Sequence, residues 1–210
     1  MFNELAPYLG FASVSLMVAI SPGPSWIYTI STTHSHGRKA GMIGNLGNST
    51  GILCHATAVV FGLATLLQVS TVAFQSLKFL GASYLIYLAY QAFSQQTTLE
   101  ISQKLPPVSR RRIFRNGALV SLFNPKISLL MLALLPQFVA ADGLKMEYQI
   151  AIMGSMHALI AGIIHTHVVF FSTLISRRLK TYGKVQKCLR WLKGSLFFGF
   201  GLRLAFSKQN

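Results

Sequence analysis

Asn124-Pro125-Lys126 sets a side-chain amide, a residue without a backbone N–H and an ammonium side by side within an apolar stretch. About a hundred residues earlier, Ser21-Pro22-Gly23-Pro24 interrupts another apolar stretch. A proline inside a helix removes one hydrogen bond and clashes with the carbonyl four residues back. At the first site the carbonyls of Val18 and Ile20 thereby lose their helical partners, while a helix resuming at Ser25 presents free amides and the positive end of its dipole. Such a break can hold an ammonium and a carboxylate. The second site adds the Asn124 amide, a freed Ser121 carbonyl and the Lys126 ammonium. A charge near the middle of a bilayer costs about 2.5 to 3.5 kcal/mol on insertion scales unless it is paired or wet. With acids so scarce, the natural partner of Lys126 is an anionic ligand group, unless its stem carries the charge to the surface.

Gly47, Gly51 and His55 recur at four-residue intervals, giving one smooth helix face that ends in an ionisable ring, and Gly44 extends it. This face suits an internal helix contact, a ligand path or a homodimer equally. Asn48, between those glycines, joins Pro22, Gly23, Pro24, Asn124, Pro125 and Lys126 in the candidate ligand-binding set. His55 and His157 are separated by about the same interval as the proline sites and are the candidates for proton relay. Either could instead be a hydrogen-bonded structural histidine. His157, His165 and His167 invite a divalent-cation reading, but residues two apart point to nearly opposite sides of a helix. Gly47-Asn48-Ser49-Thr50-Gly51 matches a bare nucleophile-elbow pattern without the strand that pattern requires.

These residues must be positioned by membrane helices. The chain has 210 residues, 52% of them hydrophobic and only 11% charged, and its apolar runs exceed what a soluble helix or strand needs. At roughly 20 residues per crossing, six spans emerge: Leu5 to Thr33, Gly41 to Val69, Thr71 to Phe93, Gly117 to Ala141, Tyr148 to Ser176 and Trp191 to Phe206. The 19 Lys and Arg against four acids do not point to nucleic acid, because the basic residues fall in alternate connections. Arg38 and Lys39 follow span one, Lys104 and Arg110 to Arg115 follow span three, and Arg177 to Arg190 follow span five. The positive-inside rule puts those loops in the cytoplasm and both termini outside. Glu4 with no Lys or Arg before span one is unlike the basic leader of a cleavable signal peptide. Cys54 and Cys188 offer neither a disulfide framework nor a zinc motif.

The expected fold is an all-α integral membrane domain covering residues 1–210. Half one runs over about 1–95, a cytoplasmic hinge over about 96–116 with Pro106-Pro107, and half two over about 117–210. Three spans per half force the halves into opposite orientations, as inverted repeats, with spans one and four broken by prolines. Counted from the cytoplasmic edge at roughly 1.5 Å per residue, both breaks fall near the midplane of a core roughly 30 Å thick. Paired broken helices at the midplane point to a transporter's binding site. A packing kink is the plainer alternative for each.

The chain resembles the lysine and homoserine/threonine exporter family (LysE/RhtB) of bacterial inner-membrane carriers nearly end to end. The resemblance lies in Ser21-Pro22-Gly23-Pro24, Gly37-Arg38-Lys39-Ala40-Gly41, Gly47 to His55, Lys78 to Leu88, Phe123-Asn124-Pro125-Lys126, Pro136-Gln137-Phe138 and Gly194 to Leu204. It implies efflux of an amino acid driven by the proton gradient, with no enzymatic activity and no cofactor. Its partners would be the substrate, protons and the lipid bilayer. Many relatives carry an Asp after the second glycine of span two, where this chain has Ile52, and an acid in span five, where it has none. A neutral substrate such as threonine, homoserine or a branched-chain amino acid follows. His55 or His157 would then handle protons. A divalent-cation exporter (cadmium or zinc) built on the span-five histidines is the alternative function.

Overall fold

A computed structural model describes residues 2–69, 108–140 and 144–181, with isolated positions between 79 and 94 and between 187 and 206. Among these, every regular element is helical: α1 Phe2–Ile20, α2 Pro24–His36, α3 Arg38–Val69, α4 Arg110–Leu122, α5 Pro125–Leu129 and α6 Met146–Thr181. After α5 the chain widens into a π turn over Leu130–Leu134 and tightens into a 3-10 turn over Leu135–Phe138. Spans three and six, Pro106-Pro107, Lys104, Cys188, and the Lys78 to Leu88 and Gly194 to Leu204 segments lie outside the described residues or touch them only at isolated positions.

Exposure is reversed relative to a water-soluble domain. Large apolar side chains stand outside, among them Phe61 at 72% and Phe123 at 80% exposure, together with Leu9, Leu46, Leu159 and Phe171. Ser15, Thr29, Asn48, Ser121, Asn124, Gln149, His157 and His165 are buried. In water so much exposed hydrocarbon would drive aggregation, whereas in lipid it is solvated and the polar groups find one another inside. The fold is that of an all-α integral membrane protein. Met146–Ser172 of α6 is long and apolar enough to cross a bilayer by itself. Leu5–Ile20 with Pro24–His36, and Arg110–Leu122 with Pro125–Phe138, reach that length as pairs, each bent by 49°.

Contacts fix the directions of the helices. Ser15 meets His157, and Trp26 packs edge-on to His165, so α1 and α2 run with α6. Arg38 reaches the Phe170 carbonyl and Asn45 reaches Gly162, so α3 runs against α6. A Cβ on Gly47 would strike the Phe114 carbonyl and one on Gly51 would meet Ser121, so α4 runs with α3 at backbone contact. The glycine face of span two is therefore an internal helix contact, which removes it as a dimer surface. These directions gather Arg38, Lys39 and Arg110 to Arg112 at one end.

α4 begins at Arg110, so residues 110–116 of the expected hinge are helical. Ser109 caps that start by accepting from the Arg112 N–H at 3.4 Å, and the arginines that follow favour helix. The apolar count missed this turn because a membrane helix can continue past the hydrocarbon edge. The main core joins α1, α3, α5 with the two turns after it, and α6 through Phe11, Ile52, Ile127, Leu130, Met131, Leu135, Ile150 and Met153. A smaller cluster of Trp26, Ile30 and Val168 ties α2 to α6.

Candidate functional site

The first break leaves α1 with carbonyls that no intrahelical amide can reach. Met17 still accepts from the Ser21 N–H at 3.1 Å, but Pro22 has no proton for Val18. Trp26 Nε1 donates to the Ala19 carbonyl at 2.7 Å. The remaining donors come from the other end of the sequence: Lys126 Nζ donates to Val18 at 2.8 Å and to Ser21 at 2.7 Å. An ammonium at a helix C-terminus also sits at the negative end of the dipole. Gly23 lies against the same ammonium, since a Cβ there would be 3.4 Å from Nζ.

The second break is closed largely by its own residues. Asn124, 1% exposed, accepts the Lys126 N–H at 3.1 Å through its side-chain oxygen and so caps α5. The Ser121 carbonyl accepts from the Asn124 N–H at 3.0 Å. It is therefore not freed as the position of Pro125 suggested, because the chain turns tightly enough for a neighbour to take the missing donor's place. The Leu122 carbonyl, deprived of Lys126, accepts from His55 Nε2 at 3.0 Å, with Ser128 Oγ 3.4 Å from the same nitrogen. A carbonyl can only accept, so His55 carries its proton on Nε2.

Asn124 also joins the two breaks, donating through Nδ2 to Ser25 Oγ at 3.0 Å in the first turn of α2. Two segments separated by about a hundred residues thus meet through three side-chain hydrogen bonds, two from Lys126 and one from Asn124. Pro22 and Gly23 are half-buried beside this junction, while the rings of Pro24 and Pro125 are exposed and act by directing the backbone. Lys126 Nζ is held by carbonyls at the C-terminal end of α1 and just beyond it.

Asn48 lies beyond the junction, buried, with its side-chain nitrogen 3.4 Å from His165 Nδ1. Its Oδ1, with Ser21 Oγ and Ser121 Oγ, is buried without a hydrogen-bond partner among the described residues. Buried polar atoms are nearly always paired, so these oxygens stand out. His157, 1% exposed, places Nδ1 2.6 Å from Ser15 Oγ on α1. His165 is buried toward Asn48, whereas His167 is exposed and folds back on the Ile163 carbonyl at 2.8 Å. The described residues contain no group of three His, Cys, Asp or Glu side chains placed to hold a metal ion. Ser49 stands in mid-helix on α3, away from any strand.

Sequence reasoning overlooked three participants: Ser25, Ser15 and Trp26. Ser25 follows Pro24 directly and so had a positional signal as the first hydroxyl of the resumed helix. Ser15 and Trp26 carried none, since their roles depend on neighbours across the bundle.

Residues 16–208 match the LysE type translocator family. The chain belongs to this family. Its members are transporters, which agrees with a buried polar junction inside a lipid-facing exterior. The LysE-type chain is 30% identical over 202 residues to the homoserine/homoserine lactone efflux protein of Salmonella typhi, covering 96% of this chain and 97% of the relative. It is 26% identical over 199 residues to the leucine efflux protein of Enterobacter sp. (strain 638), covering 91% of each. It is also 26% identical over 208 residues to the uncharacterized membrane protein YrhP of Bacillus subtilis (strain 168), covering 95% of this chain and 98% of the relative. No solved structure matches the chain.

Proposed function

We propose that this protein is a proton-coupled secondary exporter of small neutral amino acids across a bacterial inner membrane, working by alternating access about the junction of the two breaks. The observation that carries the reading is that junction, where Lys126 and Asn124 of one half bond to Val18, Ser21 and Ser25 of the other. Bonds between backbone ends exposed by broken helices can be exchanged for bonds to a ligand without unfolding either helix. Relatives named for efflux of homoserine, homoserine lactone and leucine favour neutral substrates.

In this reading each bent pair is one broken span and the two halves are inverted three-helix repeats. The basic end of the bundle faces the cytoplasm and both termini face the periplasm. Pro22, Gly23, Pro24 and Pro125 shape the site. Asn48 and Asn124 meet the polar groups of the substrate, and Lys126 governs the α1 carbonyls. His157, facing Ser15 across α1, is the histidine best placed to relay a proton. His55 is committed to the Leu122 carbonyl.

Efflux from preloaded proteoliposomes under an imposed proton gradient tests the reading, with leucine, homoserine, threonine, lysine, cadmium and zinc as the panel. Gradient-dependent loss of the neutral amino acids is expected, with lysine weaker. Export of the metals alone would overturn it.

A further inference from the structure

We propose that the outward face of α4 is a docking site for an anionic phospholipid, whose phosphate is held by Arg112 and Arg115 and whose acyl chain lies along Leu119 and Phe123. The site faces the bilayer rather than the junction of the breaks, and it is independent of the substrate that crosses there.

α4 has two faces. Ile113, Gly117 and Ser121, each four residues from the next, are buried, and a Cβ on Gly117 would strike the Gly44 carbonyl of α3. Arg112, Arg115, Leu119 and Phe123 recur at intervals of three and four, so they share a different face, and all four are exposed. Phe123 follows the last residue of α4 and keeps its register, with its N–H donating to the Leu119 carbonyl at 2.9 Å. The rise from Arg112 to Phe123 is roughly 16 Å at about 1.5 Å per residue, half of a hydrocarbon core roughly 30 Å thick. One acyl chain occupies that depth in its own leaflet.

The side chains along this face follow a phospholipid from headgroup to tail, with two cations first, then a leucine, then an aromatic ring. Guanidinium groups one turn apart can present their planar N–H forks to a single phosphate, which adds paired hydrogen bonds to the charge. Their stems cover the helix while the charged ends stay at headgroup level. Each basic residue near that layer attracts anionic lipid by about 1 kcal/mol. The other cations of this end are placed differently: Arg38 is engaged with Phe170, 5.5 Å over its ring, and Arg110 stands above the buried Ile113 and Gly117 on its own face. A second copy of the chain, related by a twofold axis along the membrane normal, would set its own Arg112 and Arg115 against these, and like charges at close range repel. An anionic lipid answers both the charge and the apolar stripe.

Phe123 immediately precedes Asn124, which is buried and bonded to Ser25. A lipid seated along the stripe therefore braces α4 as far as the second break, on the side opposite the helix face that packs against α3.

The test follows thermal unfolding of the full-length protein in an uncharged detergent, with phosphatidylglycerol, phosphatidylcholine or glycerol phosphate added. Phosphatidylglycerol should raise the midpoint by at least about 3 °C, and the other two by less than about a third of that rise. Arg112→Gln with Arg115→Gln should remove most of the rise, whereas Arg38→Gln with Arg110→Gln, which takes the same charge from the same end, should keep more than about half of it. Phe123→Ala should weaken the apparent affinity for phosphatidylglycerol by at least about threefold without any change of charge. Equal losses in the two arginine pairs would mean diffuse attraction and overturn the site. A rise with glycerol phosphate as large as with phosphatidylglycerol, or no rise with the lipid, overturns it as well. If the glutamine pair at 112 and 115 does not fold, Arg112→Lys with Arg115→Lys decides: it keeps both charges without the forks and should weaken the lipid by at least about threefold. The exporter reading stands or falls separately, on the efflux assay.

Discussion

The two breaks solve the same problem by different means. At Asn124-Pro125 the missing bonds are replaced mostly from nearby: Asn124 caps Lys126, its own N–H serves Ser121, and only Leu122 needs an outside donor, His55. At Pro22-Gly23-Pro24, Gly23 provides no side-chain cap, and the Val18 and Ser21 carbonyls depend on Lys126 of the other half. The second break is satisfied mostly by its own residues, whereas the first is completed by a side chain from a remote part of the sequence.

The comparison is broken most directly at Asn124, which takes part in both breaks. Asn124→Ala removes the α5 cap, worth about 1 kcal/mol, and leaves Ser25 and the Lys126 N–H unpaired at about 1 to 3 kcal/mol. Efflux should fall to background while the protein still inserts. Full activity in a membrane-inserted variant would remove the junction from the mechanism.

Next in size is the contrast between Pro22→Ala and Pro125→Ala. The first supplies an N–H that competes with Lys126 for Val18, so transport should fall by at least about tenfold as the bend straightens. The second offers a donor to Ser121, which already has one, and should lose no more than about threefold. Equal losses in an initial-rate assay would mean that the breaks are equivalent.

A smaller effect separates the histidines. His55→Leu leaves the Leu122 carbonyl unsatisfied and should lower stability by about 1 to 3 kcal/mol, read by thermal unfolding in detergent, with transport retained in the folded fraction. His157→Leu uncouples Ser15 and should alter transport more than stability. The reverse order would move proton handling to His55.

The smallest expected change is at Ser109, which caps α4 far from the junction. Ser109→Ala should cost about 0.5 to 1 kcal/mol and leave efflux unaltered. A transport defect there would show that the start of α4 takes part in the cycle.

Much of this was legible in the residues. The two proline sites stand out because a missing N–H is a local property that any helix must answer for. The glycine spacing marked a smooth helix face but left an internal contact, a ligand path and a homodimer open, and only packing set α4 against it. For Lys126, charge alone suggested an anionic ligand group or the membrane surface, and gave no sign of the bonds it makes to backbone. The carbonyls of Val18 in α1 and Ser21 just after it, which accept from Lys126, carry no label in a side-chain sequence. The Ser121 carbonyl was misread because a turn can satisfy it from the next residue but two, which depends on dihedral angles.

Composition and spacing by themselves determined a lipid-embedded helical chain and the two places where its apolar helices are interrupted. These follow from hydrophobicity, helical geometry and the absence of a proton on proline, all fixed residue by residue. Only the tertiary structure decided that the two breaks meet, that Lys126 completes α1, and that His55 serves a helix end while His157 faces Ser15. Hydrogen bonds between side chains and remote backbone groups depend on which helices become neighbours, and that depends on packing the whole bundle.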